Sequence, residues 1–336
     1  MRRIAFFTAS ALIALGALAA CSSTETGERT AVTPTPGETN SNTAPGGTAT
    51  VPAAASIAPP ATMPPMPACQ PGSALPPAGT TSEHTLSSGG VERSYLLYVP
   101  PGYDGRRPAP LVLNFHGLGS TGAQQHIYAG LVPVAEREGF LVASPDGINR
   151  AWLTNPGIDD IQFTRDLVEE ISRLACIDAG RVYATGMSNG GFMSAALACV
   201  AGDLLAAVAP VAGMTPANRL CGEPVPFIEF HGTGDSVVPY EPGILAPTGG
   251  DFAGVPELIA GWAAFNGCEG EPTERRLSDE VVFREFGGCD APTGHYVVEG
   301  GGHTWPGAIG IGRLGATTRD ISAAEIAWAF FEANPR

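Results

Sequence analysis

Three residues that could together activate a hydroxyl group follow one another along the chain: Ser188, Asp235 and His303. A serine hydroxyl is a poor nucleophile at neutral pH and needs a neighbouring base. His303 is the candidate base, and Asp235 is the candidate acid that would accept the Nδ1 proton and stabilise the imidazolium. Because Gly234-Asp235-Ser236 is also good turn composition, a turn-capping role for Asp235 is the alternative.

Ser188 lies within the sequence Gly-Met-Ser-Asn-Gly, residues 186–190. The apolar run 181–185 predicts a buried strand, and the run 192–199 predicts a helix. A strand that turns sharply into a helix at a serine is the nucleophile elbow, which exposes the serine hydroxyl. The flanking glycines suit it because a Cβ there would collide with neighbouring backbone. The amide of Asn189, at the helix start, is then a candidate oxyanion donor.

A second oxyanion donor is expected where the apolar run 111–115 continues into His116-Gly117-Leu118. A strand that ends in His-Gly and small residues is where this architecture places that amide. We assign the donor to the Leu118 amide and expect His116 to brace the loop rather than take part in the chemistry. Trp305 and Trp152 could either line the substrate pocket or pack in the core, and both interpretations stay open.

The remaining histidines compete poorly for the role of base. His295 enters a predicted strand rather than following one. The other four precede Asp235 and do not fit the order Ser, Asp, His that α/β-hydrolases show; they are His84, His116, His126 and His231.

The predicted elements alternate between strands and helices. A hairpin is expected over residues 84–100, around Gly89-Gly90, and further strands and helices follow in turn. The strands are predicted at 111–115, 140–144, 181–185, 206–213, 225–230, 281–286 and 296–299, and the helices at 122–138, 158–175, 192–199, 256–265 and 322–333. This alternation predicts an α/β fold with a mostly parallel central sheet and helices on both faces. Residues 213–256 leave no room for a large lid domain, so a shallow, open cleft is expected.

Several segments of the chain resemble the polyhydroxybutyrate depolymerase/feruloyl esterase family of secreted α/β-hydrolases. The resemblance covers nearly all of residues 69–336 and rests on residues 181–191, 231–240 and 301–307, with Arg93-Ser94-Tyr95, His116-Gly117, Asp159-Asp160 and Phe163. It implies hydrolysis of carboxylic esters through an acyl-enzyme, with Ser188, Asp235 and His303 as the triad. The family often has a richer glycine loop after His-Gly, which Leu118 interrupts here.

The amino-terminal part of the chain predicts export and tethering. Residues 1–20 have a short basic start and an apolar stretch shorter than a typical membrane span, as in a signal peptide. They end Leu-Ala-Ala before Cys21, which is typical of a lipobox; an ordinary signal peptide followed by a chance cysteine is the alternative. Residues 21–66 are rich in Thr, Pro and Ala and predict a disordered tether, which leaves 67–336 as the catalytic domain.

Charge composition excludes several functional classes. The chain has 18 basic and 33 acidic residues, and every basic residue is an arginine. The lack of lysine excludes a P-loop lysine, a Schiff base and a Ser-Lys dyad. The net charge of −15 argues against nucleic acid and anionic polymers as partners. We expect a monomer that contacts a membrane only through lipid on Cys21.

The cysteines other than Cys21 predict disulfides rather than a metal site. The pairings that fit the predicted elements best are Cys199–Cys221, Cys268–Cys289 and, by elimination, Cys69–Cys176. No Cys-x-x-Cys or His/Cys cluster is present, so no metal and no cofactor are expected.

The chemistry therefore predicts an extracytoplasmic serine ester hydrolase, lipid-anchored at the cell envelope or secreted, that acts on a neutral polymeric or plant-wall ester. Two alternatives stay open. A serine peptidase of the same fold would need a site for the charged end of a peptide, and no clear basic patch is visible. A non-catalytic polymer-binding lipoprotein would not need an intact Ser, Asp and His set.

Overall fold

The computed structural model describes residues 75–246 and 248–336. Within them the strands are β1 (Thr80–Ser88), β2 (Val91–Val99), β3 (Ala109–Phe115), β4 (Leu141–Pro145), β5 (Ile177–Met187), β6 (Ala207–Val211), β7 (Phe227–Gly232), β8 (Gly243–Ile244), β9 (Asp251–Phe252), β10 (Glu269–Arg276), β11 (Val281–Gly287) and β12 (Thr293–Val298). The helices are α1 (Gly122–Tyr128), α2 (Leu131–Glu138), α3 (Asp160–Leu174), α4 (Asn189–Val200), α5 (Val255–Phe265) and α6 (Ala323–Ala333), with short 3₁₀ turns at Ile148–Arg150 and Gly312–Leu314.

Ten of the described strands form one sheet in the order β1-β2-β4-β3-β5-β6-β7-β12-β11-β10. Six adjacent strands are parallel, namely β4, β3, β5, β6, β7 and β12. Two antiparallel strands flank them on each side, β1 and β2 at one edge and β11 and β10 at the other. Every residue of β3, β4, β6 and β7 is buried, as expected of parallel strands covered on both faces. The predicted α/β-hydrolase architecture is confirmed.

Helices cover both faces of this sheet and define two apolar cores. On one face α3, α4 and α5 bury residues such as Phe163, Leu197 and Trp262. On the other face α2 and α6 bury Val134 and Phe331, among others, against the same strands. The carboxyl ends of the parallel strands therefore open onto one edge of the sheet, where the loops that could carry chemistry meet.

The helix predicted over residues 122–138 is wrong as a single element. It is two helices, α1 and α2, separated at Gly130, whose φ of 67° is left-handed. A left-handed residue cannot continue an α-helix, and glycine adopts this conformation without a Cβ penalty. Both helices bury residues at positions i, i+3 and i+4, but those of α1 are Gly122, Gln125 and His126, so hydrophobic periodicity gave no sign of the break.

Two other elements lie where no strand was predicted. β10 is an edge strand of mostly exposed, mostly charged or polar residues, so it lacks the alternation that would predict it. The segment between β7 and α5, predicted as loop, contains the two-residue strands β8 and β9. Neither addition supplies a lid domain.

Two disulfides join described residues, Cys199–Cys221 and Cys268–Cys289, and both are pairings that the sequence predicts. Cys69 lies outside the described residues, so its pairing with Cys176 stays a prediction. The predicted signal peptide 1–20, lipid-bearing Cys21 and tether 21–66 also lie outside them. Disulfides persist in oxidising compartments, which indicates export.

In the part of the chain that the structure describes, no helix combines the length and the apolar character needed to cross a membrane. Among the same residues, no three or more His, Cys, Asp or Glu side chains are grouped so that they could hold a metal ion.

Candidate active site

Ser188 lies at the junction between β5 and α4 in an uncommon backbone conformation, with φ 57° and ψ −118°. A non-glycine residue at positive φ is strained and persists only where its surroundings fix it. Two backbone bonds do so here: the Ser188 N–H donates to Val211 O at 2.8 Å, and the Phe192 N–H donates to Ser188 O at 2.9 Å. The Ser188 side chain is partly exposed at the carboxyl edge of the sheet.

The two flanking glycines allow the start of α4 to pack backbone to backbone against the sheet. A Cβ on Gly190 would lie 2.1 Å from Phe115 O, and one on Gly186 would lie 2.5 Å from Gly190 O. No side chain fits at these separations. The Gly-x-Ser-x-Gly spacing is therefore a steric requirement of this strand–helix junction.

Asp235 and His303 meet at the same edge, on the loops that follow β7 and β12. His303 Nδ1 lies 2.7 Å from Asp235 Oδ2, and both residues are almost fully buried. Asp235 Oδ1 accepts from the N–H groups of Val237 and Val238 at 2.8 and 2.9 Å. One oxygen of Asp235 therefore caps the turn, as in the alternative interpretation, and the other oxygen contacts His303.

The environment of Asp235 favours its ionised form. Burial alone would raise the pKa of the carboxyl group. Hydrogen bonds from His231 and His303, together with the charges of these rings, outweigh burial and hold the pKa of Asp235 well below its usual value. A carboxylate is the form that can accept the Nδ1 proton of His303.

The loop that carries the candidate oxyanion donors lies directly beside the serine. A Cβ on Gly117 would lie 3.5 Å from Ser188 Cβ, which places the backbone of 116–118 next to Ser188. Among the described residues no backbone acceptor bonds the N–H of Leu118, whose side chain is 48% exposed. Asn189 begins α4, and the first N–H groups of a helix have no partner within the helix.

His116 braces this loop from beneath. Its Nε2 accepts from the Gly147 N–H at 2.9 Å, and its Nδ1 lies 2.8 Å from Gly117 O. These partners require a proton on Nδ1 and none on Nε2, so the ring is neutral. Burial lowers the pKa of His116, in agreement with that state.

Trp152 supports the same loop without reaching its surface. The ring is completely buried, and its Nε1 donates to His116 O at 2.9 Å. Its backbone N–H donates to Asn189 Oδ1 at 2.7 Å, and Asn189 Nδ2 donates back to Trp152 O at 3.1 Å. Trp152 therefore positions the start of α4.

Trp305 is 1% exposed and belongs to the core beneath α2 and α6. Its backbone N–H donates to the Tyr128 hydroxyl at 3.3 Å. Of the two interpretations left open for Trp305 and Trp152, burial of both rings favours packing.

A buried ion pair lies under the Trp152 loop. Arg93 Nη2 is 2.9 Å from Asp160 Oδ1, and both side chains are 1% exposed. Asp160 Oδ2 also accepts from the Leu153 N–H at 2.8 Å, and the Arg93 guanidinium lies 3.7 Å from the Phe163 ring centroid. The first turn of α3 is capped instead by Asp159, which accepts from the Gln162 N–H. We call Arg93 and Asp160 the arginine pair.

A second buried ionic cluster lies behind Asp235, and sequence reasoning missed it. Glu229 Oε1 is 2.8 Å from His231 Nδ1, and Glu229 Oε2 is 2.8 Å from His295 Nδ1, although the second contact departs from linear hydrogen-bond geometry. All three side chains are fully buried. We call Glu229, His231, Asp235 and His303 the histidine cluster. The available signal was a glutamate inside an apolar strand, since a buried carboxylate must be paired.

The sequence of this chain is similar to the sequences of known esterases. Feruloyl esterase B of Piromyces equi is 33% identical over 239 residues, which are 66% of this chain and 44% of that protein; this chain therefore spans less than half of its length. The putative esterase NocK of Nocardia uniformis subsp. tsuyamanensis is 30% identical over 291 residues, 75% of this chain and 82% of that protein.

Among solved structures, an acetyl xylan esterase from Aspergillus awamori matches with a TM-score of 0.51 and 17% identity, over 66% of this chain and 94% of that one. At this identity the match supports the fold alone. No protein-family model matches the chain.

Proposed function

Because the chain belongs to the feruloyl esterase type of α/β-hydrolase esterases, we propose that it is an extracytoplasmic serine hydrolase of carboxylic esters. The observation that carries this proposal is the 2.7 Å contact between His303 Nδ1 and Asp235 Oδ2 at the strand edge where Ser188 forms a strained elbow. A nucleophile, a base and an orienting acid are the groups that this reaction requires.

The proposed reaction proceeds in two halves. His303 Nε2 takes the Ser188 proton while Oγ attacks the ester carbonyl, and the amides of Asn189 and Leu118 stabilise the resulting oxyanion. His303 then returns the proton to the leaving alcohol as the C–O bond breaks, which leaves an acyl group on Ser188. Water, deprotonated by His303, attacks the acyl-enzyme and releases the acid. Asp235 holds the Nδ1 proton throughout.

We propose a neutral ester with a short or aromatic acyl group as the substrate, such as the feruloyl ester for which its relatives are named. The net charge of −15 lowers the local concentration of anions, so charged esters are disfavoured. The segments that follow the carboxyl ends of β3, β4, β6, β7 and β12 each expose a large apolar side chain that could contact such a group: Leu118, Leu153, Leu220, Ile244 and Ile309.

A substrate panel with the Ser188→Ala protein as control tests this proposal. The panel contains p-nitrophenyl esters from C2 to C16, methyl ferulate, acetylated xylan, polyhydroxybutyrate and a p-nitroanilide peptide. We expect kcat/KM to peak at acetyl to butyryl, with methyl ferulate cleaved and the anilide resistant, because a shallow cleft buries few methylenes at about 0.8 kcal/mol each. Ser188→Ala should lower kcat by about three orders of magnitude or more without loss of fold by circular dichroism.

Two outcomes would contradict the proposal separately. Near-normal esterase activity in Ser188→Ala would refute the serine mechanism. A rate that climbs toward C12 or C16, with a jump at the micelle threshold, would refute the short-acyl preference while leaving the mechanism intact.

Lipid attachment at Cys21 is a further proposal, supported by the Leu-Ala-Ala-Cys sequence at residues 18–21. Cys21→Ala should release the protein from membranes or stall its processing. Native protein recovered entirely in the soluble phase, with no lipid mass on its first peptide, would contradict it.

A further inference from the structure

A line of buried titratable side chains runs from His303 away from Ser188 and into the sheet. Asp235 Oδ2 contacts both His303 and His231, at 2.7 and 3.4 Å. His231 contacts Glu229 on β7, and Glu229 contacts His295 on the neighbouring β12. The exposed fraction of each of these side chains is 5% or less. The reaction proposed above uses the first two members of the line and leaves the others without a role.

The contacts of His231 determine its protonation. Its Nδ1 faces Glu229 Oε1 at 2.8 Å, and its Nε2 faces Val238 O at 2.9 Å and Asp235 Oδ2 at 3.4 Å. Every one of these partners is an oxygen acceptor as long as both carboxyl groups are ionised. A neutral imidazole would turn one nitrogen lone pair toward an acceptor, so both ring nitrogens carry protons and the ring is an imidazolium.

The far end of the line keeps Glu229 ionised. Arg284 Nη1 donates to the Tyr240 hydroxyl oxygen at 3.1 Å, which leaves the hydroxyl proton for His295 Nε2 at 3.3 Å. His295 is then neutral with its proton on Nδ1, 2.8 Å from Glu229 Oε2. Glu229 therefore has a ring nitrogen within 2.8 Å of each oxygen, although only the His231 contact meets hydrogen-bond geometry, and it has no need of a proton of its own.

Electrostatics agree with this assignment. Burial by itself would lower the pKa of His231, but the charge of Glu229 and hydrogen bonds to Asp235 and Glu229 raise it to about 10. Burial would likewise raise the pKa of Glu229, and the charge and hydrogen bond of His231, followed by those of His295, lower it instead.

We propose that His231 is a positioning residue, a permanent imidazolium that holds Asp235 and sets the basicity of His303. The inference rests on the proposed serine mechanism. In the resting enzyme the histidine cluster has two carboxylates and one imidazolium, for a net charge of −1. When His303 takes the Ser188 proton, the buried cluster becomes neutral. Without the charge on His231, the resting cluster would have a net charge of −2. That charge would favour the protonated form of His303 before substrate binds.

The experiment is a pH profile of kcat/KM for His231→Gln and Glu229→Gln, with His84→Gln and Glu325→Gln as matched controls. His84 bonds Ser82 at the sheet edge, and Glu325 pairs with Arg137 on the surface. The acid limb of the profile reports protonation of the catalytic base in the free enzyme. We expect its midpoint to rise by roughly one pH unit in His231→Gln. The rise should be smaller in Glu229→Gln, because loss of the Glu229 charge offsets loss of the proton from His231. The controls should superimpose on the wild-type profile.

A purely structural role for His231 would lower the rate at all pH values and leave the midpoint unchanged. Such a profile, or a midpoint that moves to lower pH, would overturn the proposal. If the variants do not fold, ¹⁵N-histidine NMR of the Ser188→Ala protein tests the protonation state of His231 directly. The His231 ring should show two protonated nitrogens at pH 8, and a neutral ring there would overturn the proposal. Because this measurement needs no activity, it is separate from failure of the esterase proposal itself.

Discussion

The arginine pair and the histidine cluster lie on opposite sides of Ser188, and both bury charge. The arginine pair joins one cation to one carboxylate, and arginine keeps its charge throughout the working pH range. The histidine cluster contains two carboxylates and two imidazoles, whose protons can move. The difference corresponds to what each side must do. In the proposed mechanism, the side of the arginine pair has to hold the oxyanion N–H groups still, whereas the side of the histidine cluster has to exchange a proton.

The two clusters also act over different distances. Asp235 touches His303 directly at 2.7 Å. The arginine pair reaches Asn189 only through the backbone of the Trp152 loop, by way of the Leu153 N–H. We therefore expect damage to the histidine cluster to appear in the rate of chemistry, and damage to the arginine pair to appear mainly in folding stability.

The largest effects should come from a matched pair of substitutions, Asp235→Asn and Asp160→Asn. Asp235→Asn should lower kcat by about three to four orders of magnitude, as expected when the orienting acid of a triad is lost. Asp160→Asn leaves the Arg93 charge buried and unpaired, so it should lower the free energy of unfolding by about 3–5 kcal/mol. The folded fraction of that variant should retain kcat to within about tenfold. Urea unfolding and active-site-titrated kcat measure both quantities.

The reverse pattern, a stable but inactive Asp160→Asn with an unstable but active Asp235→Asn, would overturn the division between the two sides.

An intermediate effect should come from the disulfide on the acid–base side. Cys268 immediately precedes β10, and its disulfide joins it to Cys289 in the connection between β11 and β12, ahead of the His303 loop. Cys268→Ser with Cys289→Ser should lower the free energy of unfolding by about 2–4 kcal/mol, because the unfolded chain gains freedom. Activity at low temperature should be close to normal, since neither cysteine contacts the histidine cluster. If the double variant is fully folded but inactive, the connection between β11 and β12 must position His303.

A gradual effect, small for each pH unit, should be the pH dependence of stability that His231 supplies. Since its folded pKa is about 10 and a free histidine titrates near 6.5, its contribution is complete below about pH 6.5 and is lost as the pH rises through about 10. The difference in unfolding free energy between wild type and His231→Gln should shrink over that window by up to about 1.4 kcal/mol per pH unit. Arg93→Met should instead differ from wild type by a nearly constant amount. Equal slopes for the two variants would contradict the contrast.

Sequence reasoning identified the elements whose signals are local. The elbow around Ser188 can be recognised from five consecutive residues. The glycines, the preceding strand and the following helix are all adjacent to Ser188 in the sequence. The parallel sheet follows from alternating apolar runs in the same way. The loops that carry Asp235 and His303 could be placed because each follows a predicted strand at the carboxyl edge.

The parts that sequence reasoning missed depend on contacts between distant segments. Arg93 and Asp160 are 67 positions apart, and nothing near either residue specifies the other. Glu229 and His295 lie on strands whose pairing became known only with the sheet order. The helix break at Gly130 was not predicted, because glycine is common and its left-handed backbone conformation does not alter the spacing of hydrophobic residues.

The division of labour between the two oxygens of Asp235 has a consequence for an amide at that position. Two backbone N–H groups, from Val237 and Val238, fix one oxygen. An asparagine would have to offer them its carbonyl, which forces its NH₂ group toward His303 Nδ1. A donor at Nδ1 selects the opposite tautomer, with the ring proton on Nε2, the nitrogen that must be empty to receive the serine proton. The turn would thus lock the imidazole in its inactive tautomer.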